Sequence, residues 1–162
     1  MNTPSRVAIV IRGSAADAAV TVRGIRTMPA GTPFEVYLVL DGTAVTEALN
    51  RAVAVRTEDL ILFLDAGLTP VEPNWLKRMV HACDQENVGA AVGTTLDESD
   101  TAFAGLMTRR EVFDLLGGLD ADRHPTNGYQ DYLTRLIGLG YECVAPGQVE
   151  FLAGSAQLKR AG

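Results

Sequence analysis

The sequence of 162 residues lacks the features that mark several common classes of protein. Its longest apolar stretches, such as 60–64, fall far short of the roughly 20 residues that span a bilayer. Its two cysteines, Cys83 and Cys143, are too few and too far apart for a disulfide framework or a thiolate metal site. With 14 basic against 20 acidic residues, the net charge of −6 gives no general attraction to nucleic acid or anionic lipid. We therefore expect neither a membrane span nor a nucleic-acid partner.

What the sequence does contain is an alternation of short β-rich runs with helical segments. This alternation is typical of an α/β fold with a largely parallel sheet, and 47% hydrophobic residues suffice for the core of one compact domain over 1–162. The poorly patterned residues 150–162 are a candidate flexible tail. The predicted strands are 7–11, 34–40, 59–64, 88–94, 101–108 and 141–144, and the predicted helices are 17–28, 44–55, a segment from Pro73, 110–116 and 131–139.

Charged side chains stand where three of the predicted strands end. Arg12 follows the first strand, Asp41 the second and Asp65 the third. Ligands of open α/β sheets bind outside the carboxyl ends of the strands, so we expect these three side chains to share one rim. A carboxylate in such a place is also common as a helix cap or turn residue, and position alone leaves both interpretations open.

Five segments of the chain occur in an order that is typical of one enzyme family. They are FEVYLVLDGT, EALNRAVAVRTEDLILFLDAGLTPVEPNWLKRMV, NVGAAVG, AGLMTRREVFDLLGGLDAD and GYQDYLTRLIGLGYECV. Together they resemble the glycosyltransferase family 2 domain over residues 34–146. The resemblance implies the GT-A fold, a Rossmann-like, mostly parallel sheet flanked by helices. It also implies an enzyme that transfers a sugar from a nucleotide-diphospho-sugar donor to an acceptor. One usual strand of that fold is missing, because Thr43 leads almost directly to a helix.

The resemblance implies roles for three acids. Asp41 matches the strand-end acid that contacts the nucleotide base. Asp65 matches the first acid of the Asp-x-Asp motif, which helps such enzymes to hold Mg²⁺ or Mn²⁺ on the donor diphosphate. Asp131 falls near the Glu-Asp motif, whose aspartate is the general base of an inverting transfer. An acid in the first turn of a helix also interacts favourably with the helix dipole, so a structural role for Asp131 is the alternative.

Three further residues fall on the acceptor side. Gly118 and Asp120 belong to a turn that the family uses near the sugar or the acceptor, although a structural role alone would explain them. His124 lies in a nearby loop, either as an ordinary exposed histidine or as a substitute base.

The sequence departs from the family at the metal. Gly67 replaces the second acid of Asp-x-Asp, and the usual metal-binding histidine aligns with Leu152 or Ala153. A Mg²⁺ or Mn²⁺ site would therefore keep Asp65 as its one carboxylate, and arginines are the alternative source of positive charge. We assign Arg12 and Arg109 to the nucleotide-sugar site on this ground. The full set of candidate cations is Arg12, Arg109, Arg110, Lys159 and Arg160.

Two hypotheses about function follow. The first is a glycosyltransferase with a nucleotide-sugar donor, metal-independent if arginines replace the cation. The second is a catalytically degenerate domain that serves as a binding, scaffold or regulatory module, with a homodimer or protein partner at an uncovered sheet face or edge. The start MNTPSR leads into a strand-like run rather than a signal-peptide core, so we expect a cytoplasmic protein.

Overall fold

The structure is a computed structural model that describes residues 5–40, 42, 44–96, 104–125 and 127–153. Strands and helices alternate through most of these ranges, as expected for an α/β fold. The elements are β1 (Val7–Gly13), α1 (Ala15–Thr27), β2 (Phe34–Leu40), α2 (Val45–Ala54), β3 (Leu60–Asp65), β4 (Leu68–Pro70), α3 (Trp75–Cys83), β5 (Val88–Thr95), β6 (Gly105–Arg109), α4 (Arg110–Leu115), α5 (Tyr129–Gly138), β7 (Glu142–Val144) and β8 (Glu150–Ala153).

The strands form one sheet in the order β2-β1-β3-β6-β5-β8-β4, and β7 also pairs with β5. Among the described strands, four pairings are parallel and three are antiparallel. The sheet is therefore mixed, and parallel pairings are in the majority, as expected of a mostly parallel sheet. The antiparallel strand at its centre is β6. The connection 96–104 that leads to it from β5 is shorter than the dozen or so residues of a parallel crossover, so β6 runs back along its neighbour.

The core lies on both faces of the central strands. On one face, the side chains of Ile9 and Leu62 pack with α1 and α3, and on the other, Val10 and Phe63 pack with α2, α4 and α5. This double coverage explains why β1 and β3 are uninterrupted apolar runs rather than alternating ones. It also fixes the carboxyl ends of β1 and β3 at one edge of the sheet, where the candidate site lies.

β2 has only β1 as its neighbour among the described strands. Leu38 and Leu40 on this strand are 52% and 54% exposed. An uncovered edge of this kind was expected from the missing strand, and an occupant for it stays a prediction.

Two strands were not predicted. β4 has three residues and ends at Pro70, as is typical of an edge strand, and β8 has four. The strand β8 lies between β4 and β5 and buries Phe151 fully, so its residues 150–153 are not part of a flexible tail. The remainder of that expected tail, 154–162, lies outside the described residues. Within the described ranges, the helices are all too short or too polar to cross a bilayer.

Candidate functional site

Arg12 and Asp65 lie side by side at the carboxyl ends of two parallel strands. The register of β1 and β3 makes them direct neighbours, and Arg12 Nε donates a hydrogen bond of 2.7 Å to Asp65 Oδ1. The arginine side chain is 16% exposed and the aspartate side chain 51%. The structure thus brings together two of the three rim residues that the sequence indicated. The third, Asp41, lies outside the described residues.

Tyr129, which the sequence analysis did not single out, supports this pair. The guanidinium carbon of Arg12 lies 4.6 Å from the centre of the Tyr129 ring, in a cation–π contact. Burial is the main cause that raises the pKa of the Tyr129 hydroxyl well above its ordinary value; the charge of Arg12 opposes the rise and that of Asp65 adds to it. The Tyr129 hydroxyl therefore keeps its proton at physiological pH, and the side chain is neutral. Since Tyr129 is the first residue of α5, this contact places the start of α5 next to the rim.

The turn after β3 is fixed to the neighbouring elements. Ala66 N donates to Arg12 O at 2.7 Å, and Gly67 N donates to the buried Thr21 Oγ1 at 2.8 Å. Gly67 has a φ of +98°, a conformation that an aspartate would adopt only with strain, although no atom of the described residues lies within 4 Å of the position that its Cβ would take. At Gly67, which replaces the second acid of the Asp-x-Asp motif, a side chain would have room among the described residues, but the backbone conformation favours glycine.

The described residues do not fit a divalent metal ion at this rim. Asp65 already shares one carboxylate oxygen with Arg12, and Gly67 offers no side-chain ligand. Leu152 and Ala153, where the sequence resemblance predicted a vacant histidine position, are paired with β4 in the sheet. Nowhere in the described part of the chain do three or more His, Cys, Asp or Glu side chains form a group that could hold a metal ion. Among the residues that the structure describes, Arg12 supplies positive charge at the rim.

A second cluster of charges surrounds Asp131 in the first turn of α5. Arg135 Nε donates to Asp131 Oδ2 at 2.9 Å, and His124 Nε2 lies 3.6 Å from Asp131 Oδ1. The side chain of Asp131 is 18% exposed and that of His124 is 41% exposed. The structure thus brings Asp131, the predicted general base, and His124, a predicted acceptor-side residue, into one group. An aspartate beside a histidine is an arrangement that can accept and hold a proton.

The loop that carries His124 is tied to the start of α2. The buried Thr46 donates through Oγ1 to His124 O at 2.5 Å and through its backbone N–H to Pro125 O at 3.0 Å. Asp120 O accepts from His124 N at 3.0 Å, and its carboxylate accepts from Arg123 N, so Asp120 serves as a turn residue. These contacts hold the histidine loop in place without using the imidazole.

The turn at Gly118 is held from two sides. Arg135 donates to Gly118 O at 2.9 Å, and Asn50 exchanges two hydrogen bonds of 2.8 and 2.9 Å with the backbone of Leu119. Gly118 has a φ of +78°, and a Cβ there would approach Asn50 Oδ1 to 2.9 Å. Gly118 is therefore required by the backbone at this position, whatever its part in binding.

Arg109 does not join this site. Because β6 is antiparallel to β3, Arg109 pairs with Leu60, at the opposite end of β3 from Asp65. Its guanidinium lies 3.1 Å from Glu111 and donates to Glu86 O at 3.2 Å. Arg110 likewise donates to the backbone, to Glu58 O and Val53 O. The expectation that Arg109 lies with the rim residues is corrected, and Lys159 and Arg160 lie outside the described residues.

The comparison with solved structures bears on the fold. No family model matches the chain, and no curated protein matches it. The mannosyltransferase PcManGT from Pyrobaculum calidifontis, solved in complex with GDP-Man and Mn²⁺, superposes with a TM-score of 0.72. The chain has a glycosyltransferase-like fold. The match covers 99% of this chain and 62% of PcManGT at 14% sequence identity. At that identity the likeness shows the fold alone, and it confirms the GT-A-like architecture that the sequence predicted.

Proposed function

We propose that this protein transfers a sugar from a nucleotide-diphospho-sugar to an acceptor hydroxyl and binds the donor diphosphate at Arg12 rather than on a preformed metal site. The observation that carries the proposal is the guanidinium of Arg12, which Asp65 and the Tyr129 ring hold at the carboxyl end of β1. The glycosyltransferase-like fold supports the reaction class, since its solved neighbour carries GDP-Man. By resemblance, Asp41 contacts the nucleotide base.

The donor side needs positive charge. When the bond between the anomeric carbon and the diphosphate oxygen breaks, its electron pair leaves with the diphosphate, and a fixed cation stabilises the charge that develops there. Arg12 needs little reorganisation for this, because Asp65 holds Nε and the guanidinium carbon lies over the Tyr129 ring. The half-exposed Asp65 carboxylate also accepts hydrogen bonds from hydroxyl groups of the donor.

The acceptor side needs a base. The acceptor oxygen forms its bond to the anomeric carbon from the face opposite the diphosphate, and its proton passes to the pair Asp131 and His124. Arg135 holds one oxygen of Asp131, and the other oxygen faces the imidazole at 3.6 Å. Asp131 thereby orients His124 and stabilises it when it becomes positively charged, in the way that carboxylates support a histidine base.

Calorimetry tests the donor site. A panel of UDP-, GDP- and dTDP-sugars is titrated into the protein in EDTA and then with Mn²⁺. We expect at least one donor to bind in EDTA and Arg12→Met to weaken it by at least about tenfold, the effect of losing one charge-assisted hydrogen bond. Arg51→Met is the matched control, because Arg51 pairs with Glu47 on the exposed face of α2. Failure of every donor to bind, or equal weakening by both variants, would refute the proposal.

Turnover tests the acceptor side. With the tightest donor, release of nucleoside diphosphate is followed for Asp131→Asn and His124→Gln. We expect both variants to bind the donor like the wild type and to lose at least about 100-fold in rate, a typical contribution of general base catalysis. Wild-type turnover in Asp131→Asn would leave that residue with only its structural role at the start of α5.

A further inference from the structure

A cavity of about 480 Å³ lies on the flank of the molecule, between α3 and the loop that follows β7. One wall is formed by α3 and the residue before it, and the other by the loop after β7. The lining residues are Asn74, Lys77, Arg78, His81 and Ala82 on the first wall and Pro146 and Gly147 on the second. The cavity shares no residue with the rim or with the Asp131 cluster. Its volume lies in the range of about 300–1,000 Å³ that small-molecule sites occupy, so it exceeds the space that a single ion needs.

The charge of this cavity is opposite to that of the chain. The protein carries a net charge of −6, yet the described residues that line the cavity include Lys77, Arg78 and His81 and no carboxylate. Positions three and four apart share one helix face, so the spacing of these residues keeps the three side chains together. Like charges so close repel one another unless an anion lies between them.

These side chains have no partner elsewhere in the described part of the chain. None of Lys77, Arg78 and His81 has an ion pair or a side-chain hydrogen bond with a described residue. The Arg78 Nε is buried and without an acceptor. Arg135, by contrast, uses all three of its guanidinium nitrogens on the Asp131 carboxylate and on two backbone carbonyls. A buried guanidinium donor without an acceptor is unfavourable, and an oxyanion reached by rotation of the Arg78 side chain would supply one.

The start of α3 is rigid. Asn74 N donates to Pro29 O at 2.7 Å, and Lys77 N donates to Ala30 O at 3.0 Å. Asn74 has left-handed backbone angles, and its side chain does not cap the helix. The wall that carries the cations is therefore preformed, and the Asn74 amide is left available to a ligand.

We propose that this cavity binds the phosphate group of a phosphorylated small molecule, at a site separate from the donor rim. Lys77 and Arg78 supply the charge, and His81 and Asn74 supply further donors. Gly147 has no side chain to obstruct the opposite wall, and in the part of the chain that the structure describes no atom lies within 4 Å of the position that a Cβ would take there. The rest of the ligand fills the volume that the phosphate leaves.

The test uses inorganic phosphate, pyrophosphate and a nucleoside monophosphate as probes, titrated calorimetrically into the Arg12→Met variant in EDTA. This background removes the rim cation, so the result does not depend on the proposed donor site. In this background, the double variant Lys77→Gln/Arg78→Gln is compared with Arg23→Gln/Arg26→Gln. The control removes the same number of positive charges, but from the exposed side of α1. Thermal melts establish that both variants are folded.

We expect at least one probe to bind the Arg12→Met background and its affinity to fall at least tenfold in Lys77→Gln/Arg78→Gln but not in the α1 control. Amide NMR shifts at Ala82 and Gly147 should move with the same affinity. Equal loss in both double variants would show attraction to net charge alone and overturn the proposal. Absence of binding by all three probes, or shifts that avoid these two amides, would overturn it as well.

Discussion

Arg135 joins α5 to the turn after α4, and its replacement gives a prediction whose size follows from the structure. Its guanidinium donates to Asp131 Oδ2 at 2.9 Å, to Leu116 O at 2.8 Å and to Gly118 O at 2.9 Å. The side chain is 31% exposed, so water replaces part of what is lost. With about 1 kcal/mol for each carbonyl bond and about 0.5 kcal/mol for the screened ion pair, Arg135→Met should lower the free energy of unfolding by about 2.5 kcal/mol.

Urea unfolding followed by the fluorescence of Trp75, the only tryptophan and fully buried, measures this loss. Arg51→Met removes an arginine from an exposed ion pair and should leave the urea midpoint unchanged. Arg135→Lys keeps the charge but presents a single nitrogen, so we expect an intermediate value. If Arg135→Met is no less stable than Arg51→Met, the three contacts do not hold the turn, and the argument that this turn is preformed on the acceptor side fails.

Three further outcomes concern the core and the turn. Burial raises the pKa of the Cys83 thiol from 9.0 to about 12, so above pH 9 only the unfolded chain loses this proton. The free energy of unfolding should then fall by about 1.4 kcal/mol between pH 9 and pH 10, and Cys83→Ala should flatten that part of a pH series of urea curves. Above pH 10 the fall should steepen in both proteins, because burial also raises the pKa values of Tyr129 and Tyr132. Tyr132→Phe should cost about 1 kcal/mol in the same assay, because the hydroxyl lies 2.7 Å from the buried Thr108 Oγ1. Gly118→Ala should lower the melting temperature more than Gly117→Ala. Both glycines have a positive φ, but among the described residues only Gly118 has a close neighbour, Asn50 Oδ1, in the direction of the added Cβ.

The central strands and most helices could be predicted because each has its own local pattern of apolar residues, which follows from how it is buried. β2 has the predicted bounds, 34–40, and β3 lies within one residue of its prediction. β4 and β8 could not be found in the same way, since three or four residues carry too little pattern and become strands only by pairing with distant partners. The direction of β6 is likewise a property of the sheet rather than of its own residues.

The candidate site shows the same difference between what local sequence predicts and what depends on contacts between distant residues. Arg12 and Asp65 were predicted to meet because parallel strands bring their carboxyl ends together, and they do. Arg109 was assigned to the site only as an available cation, and the antiparallel direction of β6 places it at the other end of β3. Tyr129 was missed because its contact with Arg12 joins residues more than a hundred positions apart. No periodicity in either segment indicates such a contact.

A crystal structure of the protein soaked with a nucleoside diphosphate in the presence of EDTA tests the central claim most directly. The account predicts that the diphosphate lies within hydrogen-bond distance of the Arg12 guanidinium, with Tyr129 still packed against it and no metal ion between them. A nucleotide that enters the rim only when Mn²⁺ is added, or a rim that stays empty at millimolar nucleotide, would contradict it.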